Sequence, residues 1–453
     1  MNSTRIHPEL PIFRLDQGAE ARLYAPGHVY RVTQEEADRL QAAFVSDRPW
    51  QPALAGLASA LTAQARQARR AWEKLAEAPF APVCLTVYLS NRCHLGCSYC
   101  FAAPARLEGK SNERHPRQGH ERDAVLPVIR AEIVEPAARI VADHCARSGK
   151  PFTLVLHGGG EPTLHWDLLQ RLVVLTRRVA ATRGIGWWGY IATHGVLSAD
   201  RAEWLARHFD LIGLSCDGPP AIQNAQRPTA RGVGTAGIVA RTARVLAQIG
   251  APFVARATIT PETVHHQAAI VRYLHETLGA RAIRFEPVYR AGGHPGTGFV
   301  PEDAASFVKA FLAARRLAAR LGCELGLSGV RLGEIHGPYC NVLRDVLQLT
   351  PDGGVSACFL STNGRDAPGR ATSLGQVTGR AGLVLDEDRI VELRRRALRI
   401  PAPCWGCVNI HHCVRECPEY CPALAEKDAV PALAGFRCQV YRQLAERWIC
   451  APA

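Results

Sequence analysis

Six times between residues 83 and 320 a short apolar run gives way to a polar turn and then to apolar positions spaced three and four apart. The runs cover residues 83–90, 152–157, 186–193, 211–215, 253–260 and 282–289, and the helical patterns centre near residues 140, 173, 203, 242, 270 and 312. Strand, loop and helix in this repeat predict parallel strands backed by outer helices. Six units are too few for a closed eight-fold barrel. The pattern therefore predicts an α/β fold built on a partial (β/α)6 TIM-like barrel, with its ligands at the C-terminal ends of the strands.

The chain before this repeat has another rhythm. Ile12 to Leu15, Ala21 to Tyr24 and His28 to Val32 alternate as short strands around a Pro26-Gly27 turn. Thr33 and Glu36 form a capping-box pattern that opens a helix to about Phe44, and an Ala-rich helix follows from Pro52 to Glu77. After residue 322 cysteine takes over. Three regions are expected: a small α+β N-terminal region (1–80), the partial barrel (81–322) and a cysteine-rich C-terminal domain (323–453).

Composition narrows the class. Of 453 residues 47% are hydrophobic, which suits a globular chain, yet no apolar run reaches the roughly 18 residues that a membrane span needs. The first residues lack the apolar core of a signal peptide. The 16 cysteines are concentrated in a triplet and a C-terminal group instead of forming a framework across a small domain, so a reducing cytoplasm is expected. The formal charge is +13, but all but five of the 54 basic residues are Arg and there is a single Met, the mark of a compositional bias. No basic run carries the interleaved aromatics of a nucleic-acid surface. A basic surface suits an acidic protein partner.

The densest chemistry lies in Cys93-His94-Leu95-Gly96-Cys97-Ser98-Tyr99-Cys100, three thiols in one tight loop. A structural zinc site needs a fourth local ligand; a redox pair or disulfide would leave one thiol over. A 4Fe-4S cluster held by three cysteines keeps one iron open. The C-x3-C-x2-C spacing, with Tyr99 before the last thiol, resembles the signature of the radical S-adenosylmethionine (SAM) enzymes. Gly158-Gly159-Gly160-Glu161-Pro162, at the end of the second strand, resembles that family's GGEP motif for the methionine amine of SAM. Ser215, Asp217, Gly218 and Pro219, with Arg227 downstream, resemble its S-x-D-G-P stretch, whose Ser and Arg positions hold the carboxylate and ribose side of SAM. Arg256 and Thr258 resemble its R-x-T pattern. Ser215 and Asp217 share a strand face, which leaves Cys216 on the packing side. His194 stands where the family has Asn, which gives no reason for a ligand role. Arg284 and Glu286 share a face of the sixth strand, where burial would be costly unless each is paired or bound to substrate; a solvated rim pair is the simpler alternative.

The C-terminal cysteines resemble the SPASM extension, which carries auxiliary 4Fe-4S clusters: Cys340, Gly353 and Cys358, then Cys404, Cys407, Cys413, Cys417 and Cys438. The family's interleaving would give Cys404, Cys407, Cys413 and Cys438 to the second auxiliary cluster and Cys340, Cys358 and Cys417 to the first. The fourth ligand of the first stays open between Cys323, Cys421 and an exogenous thiolate. Cys84, Cys145 and Cys450 read as packing.

The resemblance implies a 5'-deoxyadenosyl radical made from SAM, two auxiliary 4Fe-4S clusters, a flavodoxin or ferredoxin electron donor, and a ribosomally made precursor peptide as substrate, modified by thioether, carbon-carbon or carbon-oxygen crosslinking. The N-terminal strands and helices loosely resemble precursor-peptide recognition domains; a plain cap on the barrel is the alternative. A sulfatase-maturating oxidase is the second reading, although that branch follows the cysteine of Gly353-x4-Cys358 with an Asp base and this chain has Phe359 there. An iron-sulfur carrier without SAM chemistry would not need Gly158 to Pro162 or Ser215 to Arg227. A polar insertion from Ala103 to Ala124 reads as a flap over substrate or a solvated loop.

Overall fold

The computed structural model describes residues 3–46, 52–100, 102, 105–106, 127–288, 298–363, 367–378, 382–401, 404–413 and 435–451. Four antiparallel strands come first, β1 (Ser3–Arg5), β2 (Phe13–Gln17), β3 (Glu20–Ala25) and β4 (His28–Thr33), joined as a meander. The helices α1 (Gln34–Ser46) and α2 (Pro52–Glu77) follow. The capping box forms as its spacing predicts: Thr33 N–H donates to Glu36 Oε2 at 2.8 Å and Glu36 N–H to Thr33 Oγ1 at 3.2 Å.

The large sheet opens with β5 (Cys84–Val87); the two-residue strands β6 (Arg92–Cys93) and β7 (Ala105–Arg106) then pair beside it. The repeat continues as α3 (Ala131–Ser148), β8 (Phe152–Leu156), α4 (Trp166–Ala181), β9 (Trp187–Thr193), α5 (Ala199–His208), β10 (Leu211–Ser215), α6 (Pro220–Gln226), α7 (Ala236–Ile249), β11 (Phe253–Ile259), α8 (Gln267–Glu276), β12 (Ala282–Pro287) and α9 (Ala304–Leu321). All six expected strands are present and parallel, in the order β5-β8-β9-β10-β11-β12. Tyr289, the expected end of the sixth, and most of the polar insertion lie outside the described residues.

The sheet is wider than the repeat predicts. β13 (Glu324–Leu327) adds in parallel beyond β12, and β14 (Val346–Leu349) adds in parallel beside β5. Neither is followed by its own strand-to-helix period, so the pattern along the chain does not announce them. From β14 the sheet continues antiparallel through β15 (Gly354–Ser356), β16 (Ser373–Thr378) and β17 (Gly382–Leu385), with α10 (Ala367–Thr372) between β15 and β16. The helices α11 (Glu387–Leu398) and α12 (Phe436–Ile449) complete the described chain. No described helix is long and apolar enough to cross a membrane.

Alternation along each strand sorts the side chains by face. Leu154 and Leu156, Ala255, Ala257 and Ile259, and Ile283 and Phe285 are buried against the outer helices, whereas Thr153, Val155, Ser215, Arg256, Thr258 and Arg284 are half-buried on the opposite, concave face. Residues of the N-terminal sheet join the barrel's core. Phe13, Leu15 and Tyr24 lie in one cluster with Phe285, Phe307, Phe311 and, from α12, Phe436 and Val440, each such ring or branched chain contributing roughly 1.5–3 kcal/mol by its removal from water.

Candidate active site

The cysteine loop leaves the C-terminal end of β5 and is gripped from both sides. On one side Gly160 N–H donates to Ser90 O and Glu161 N–H to Arg92 O, both at 2.8 Å. The glycines make this approach possible: a Cβ on Gly160 would lie 1.9 Å from the carbonyl oxygen of Arg92, and one on Gly159 would lie 2.8 Å from Asn91 Oδ1. On the other side Gly96 N–H donates to Pro228 O at 2.8 Å, Ser98 N–H to Gln226 O at 3.0 Å, and Ala230 N–H to His94 O at 2.9 Å. Three stretches far apart in sequence thus meet at one end of the sheet.

Two buried carboxylates brace this meeting. Glu161 Oε1 accepts from the Thr163 hydroxyl at 2.7 Å and the Thr193 hydroxyl at 2.8 Å, while Oε2 accepts from His194 N–H at 2.9 Å. It ties the glycine loop to the end of β9. Asp217, fully buried, accepts from Tyr99 Oη at 2.5 Å, from Gln226 Nε2 at 2.8 Å and, through Oδ1, from Thr258 N–H at 2.8 Å; Arg227 Nε lies 3.0 Å from its Oδ2. The Asp217 charge, against the opposing effect of burial, holds the Arg227 guanidinium firmly protonated, and burial raises the Tyr99 phenol well above its usual range. Arg227 also lies over the Tyr99 ring at 5.3 Å. Asp217, Tyr99 and Arg227 therefore act as one unit beside Cys97.

Ser215 and Arg256 face each other across β10 and β11, both half-buried on the concave face. Arg256 Nη1 donates to Tyr190 Oη at 3.1 Å. His157, the residue before the glycines, has its ring 5.3 Å from Phe359 and 5.8 Å from Tyr88. Burial and then the Arg256 charge hold it neutral, with its pKa lowered to about 3.

The thiols fit an iron-sulfur group by donor chemistry. Burial raises the Cys93 thiol strongly and the Cys97 thiol to about 11, with the other thiols of the loop adding to both shifts as near neighbours. Protonated thiols in such a setting become ligands when a metal centre takes the place of the proton. Among the described residues no three His, Cys, Asp or Glu side chains converge tightly enough for a single metal ion; a cubane spreads its ligands over separate irons. Cys340 and Cys358 are also near neighbours, the Cys340 thiol being raised by burial first and by Cys358 after it. Cys404, Cys407 and Cys413 share one series of turns, with Cys407 N–H donating to Cys404 O at 3.1 Å and Cys413 N–H to Asn409 O at 3.0 Å. Cys438 lies on α12. Cys417 and Cys421 lie outside the described residues. Cys323 lies buried in the apolar core just before β13, at the end of the sheet opposite the cysteine loop. Cys216 is buried in that same core.

The C-terminal cysteine region reaches the loop directly, which sequence spacing does not reveal. Tyr88 Oη donates to Phe359 O at 2.6 Å and Asn91 Nδ2 to Thr362 O at 2.9 Å, so the turn after Cys358 is tied to the residues that lead into Cys93. Sequence reasoning also missed a histidine contact: the His94 and His194 rings meet edge-on at 4.4 Å.

A Radical SAM superfamily model matches residues 87–274. The cysteine-type anaerobic sulfatase-maturating enzyme of Clostridium perfringens (strain 13 / Type A) is 27% identical over 227 residues, 49% of this chain and 56% of that protein, so the match spans little more than half of its curated relative. Among solved structures, native anSMEcpe with bound AdoMet superposes with TM-score 0.62 at 19% identity, over 81% of this chain and 98% of that one. Streptococcus suis SuiB bound to precursor peptide SuiA superposes with TM-score 0.54 at 14% identity, over 94% and 98%.

Proposed function

We propose that the chain is a radical SAM enzyme, its domain spanning the matched residues 87–274, and that it is a maturase that modifies a ribosomally made peptide. The observation that carries the reading is the grip on the three-thiol loop by the glycine loop and by residues 226–230, with the Cys358 turn tied to the same place. The cofactors of such an enzyme are SAM, a 4Fe-4S cluster at the cysteine triplet and two auxiliary 4Fe-4S clusters; when bound, SAM and its cluster supply an oxidant able to abstract hydrogen from carbon.

We assign Cys93, Cys97 and Cys100 to the SAM cluster. Gly158, Gly159, Gly160, Ser215, Arg227 and Arg256 line the place for SAM, while Glu161 and Asp217, whose oxygens are engaged by the protein, hold the two gripping loops in position. Cys340, Cys358 and Cys417 are assigned to the first auxiliary cluster and Cys404, Cys407, Cys413 and Cys438 to the second. The regions 1–80, 81–322 and 323–453 serve as peptide-binding region, radical SAM barrel and SPASM domain. A flavodoxin or ferredoxin is the fitting donor for a chain of charge +13.

Two features favour a precursor peptide. The fold shared with SuiB extends over 94% of the chain, and SuiB is a protein seen with its precursor peptide. Phe359 follows Cys358 and packs on His157, so the position where the sulfatase branch carries its base holds a hydrocarbon. The curated sulfatase-maturating relatives keep formylglycine formation as the second reading. Replacing Cys93, Cys97 and Cys100 together by Ala is expected to abolish 5'-deoxyadenosine release and to lower bound iron by one cluster's share while leaving the auxiliary iron. Undiminished release would overturn the assignment.

A further inference from the structure

Glu286 is a carboxylate that the reading above does not use. It sits near the C-terminal end of β12 on the concave face, opposite Thr258 in register. It is only 8% exposed. Its Oε1 accepts from the Ser328 hydroxyl, but its Oε2 is buried and, among the described residues, has no hydrogen-bond partner.

The nearby cations among the described residues engage other groups. Arg284, two residues back on the same face, pairs with Glu324 at 2.6 Å across the neighbouring strand. Arg256 donates to Tyr190 Oη. Arg437 of α12 donates to the backbone oxygens of Pro287 and Val288 and to Tyr441 Oη. A charged oxygen taken out of water without a partner costs several kcal/mol, and a fold keeps such a group where something else supplies the partner. Thr258, beside Glu286, also receives Arg227 Nη2 at 3.4 Å, which places the free oxygen one strand from the unit that braces the cysteine loop.

We infer that Glu286 is a substrate-recognition residue whose free oxygen receives the cationic side chain, lysine or arginine, of a bound peptide. A cation removes the cost of the buried charge, whereas a neutral donor satisfies only the lone pair, so the site discriminates by charge. The inference rests on the peptide-modifying reading and adds a substrate class to it.

The test uses the full-length, cluster-reconstituted protein and two small probes, N-acetyl-lysine-N-methylamide and its norleucine analogue. The wild type is expected to bind the lysine probe about tenfold more tightly than the norleucine probe, and Glu286→Gln to lose that preference. Without probe, Glu286→Gln is expected to melt no lower than the wild type, because the neutral amide removes the unpaired charge. Equal affinities in the wild type, an unchanged preference in the variant, or a clear fall in melting temperature would each overturn the inference; the last would make Glu286 a structural partner. Deoxyadenosine release by the wild type reports separately on the radical SAM reading, so the two failures are distinguishable.

Discussion

At the scale of single residues, the site depends on atoms that are absent and charges that are buried. Gly160 has no Cβ because Arg92 O occupies its place, so Gly160→Ala must push the glycine loop off the cysteine loop. The variant is expected to lose at least about 2 kcal/mol in urea unfolding and to bind less iron on reconstitution. Gly18→Ala, at a turn with φ of 63° and open space around it, should cost only about 1 kcal/mol and leave iron content alone. His194 supplies a pH signature. Its Nδ1 accepts from Val196 N–H at 3.0 Å, and burial lowers its pKa from 6.5 to about 4. Between those values the unfolded chain takes the proton and the folded chain does not, so stability is complete above pH 6.5 and declines as pH falls toward 4. His157 and His336 act in the same direction. His194→Asn keeps an acceptor for Val196 N–H, and its unfolding free energy should fall less steeply over that window than the wild type's. The motif residues were legible in the sequence because thiols and triple glycine have few other uses. The engagement of Glu161 and Asp217 by the protein itself was not, since their partners Thr193 and Thr258 are ordinary strand residues.

At the scale of elements, period and capping carried most of the information. Pro52–Glu77 forms the helix that its composition predicts, and Leu211–Ser215 the strand. β13 and β14 escaped because four-residue strands with no helical period after them carry too short a pattern to stand out from loop sequence. The link between β3 and the C-terminal turns escaped as well. Tyr24 Oη lies 2.8 Å from His412 Nε2, both side chains being buried, and His412 Nδ1 lies 2.6 Å from Glu334 O. With Nδ1–H facing that carbonyl, Nε2 is the acceptor and the Tyr24 hydroxyl the donor. Tyr24→Phe leaves the ring nitrogen unsatisfied at constant shape, and a loss of about 1–3 kcal/mol is expected. Equilibrium denaturation measures it, and a loss below a few tenths of a kcal/mol would mean that the bond is not made.

At the scale of the whole molecule, the N-terminal region is welded to the remainder. Ser3 donates to Glu446 of α12 through its backbone N–H at 3.0 Å and its hydroxyl at 2.8 Å, and Phe13, Leu15 and Tyr24 share a core with the barrel helices and α12. Deleting residues 1–80 is therefore expected to expose that core, lowering the melting temperature and causing aggregation, and not to yield a folded enzyme that merely lacks peptide affinity. A truncated protein that melts like the full chain would contradict this. The sequence by itself determined the six-unit parallel repeat, the capped N-terminal helix and the position of the cysteine, glycine and Ser215–Arg227 motifs at the C-terminal ends of the strands. Those features rest on local periodicity, on backbone constraints peculiar to glycine and on donor types with few alternatives. Only the tertiary structure decided that the Cys358 turn reaches the cysteine loop, that Cys323 lies at the far end of the sheet and that Glu286 keeps an oxygen without a partner among the described residues. Each depends on which residues distant in sequence become neighbours, and that is set by packing summed over the whole core, which no local pattern encodes.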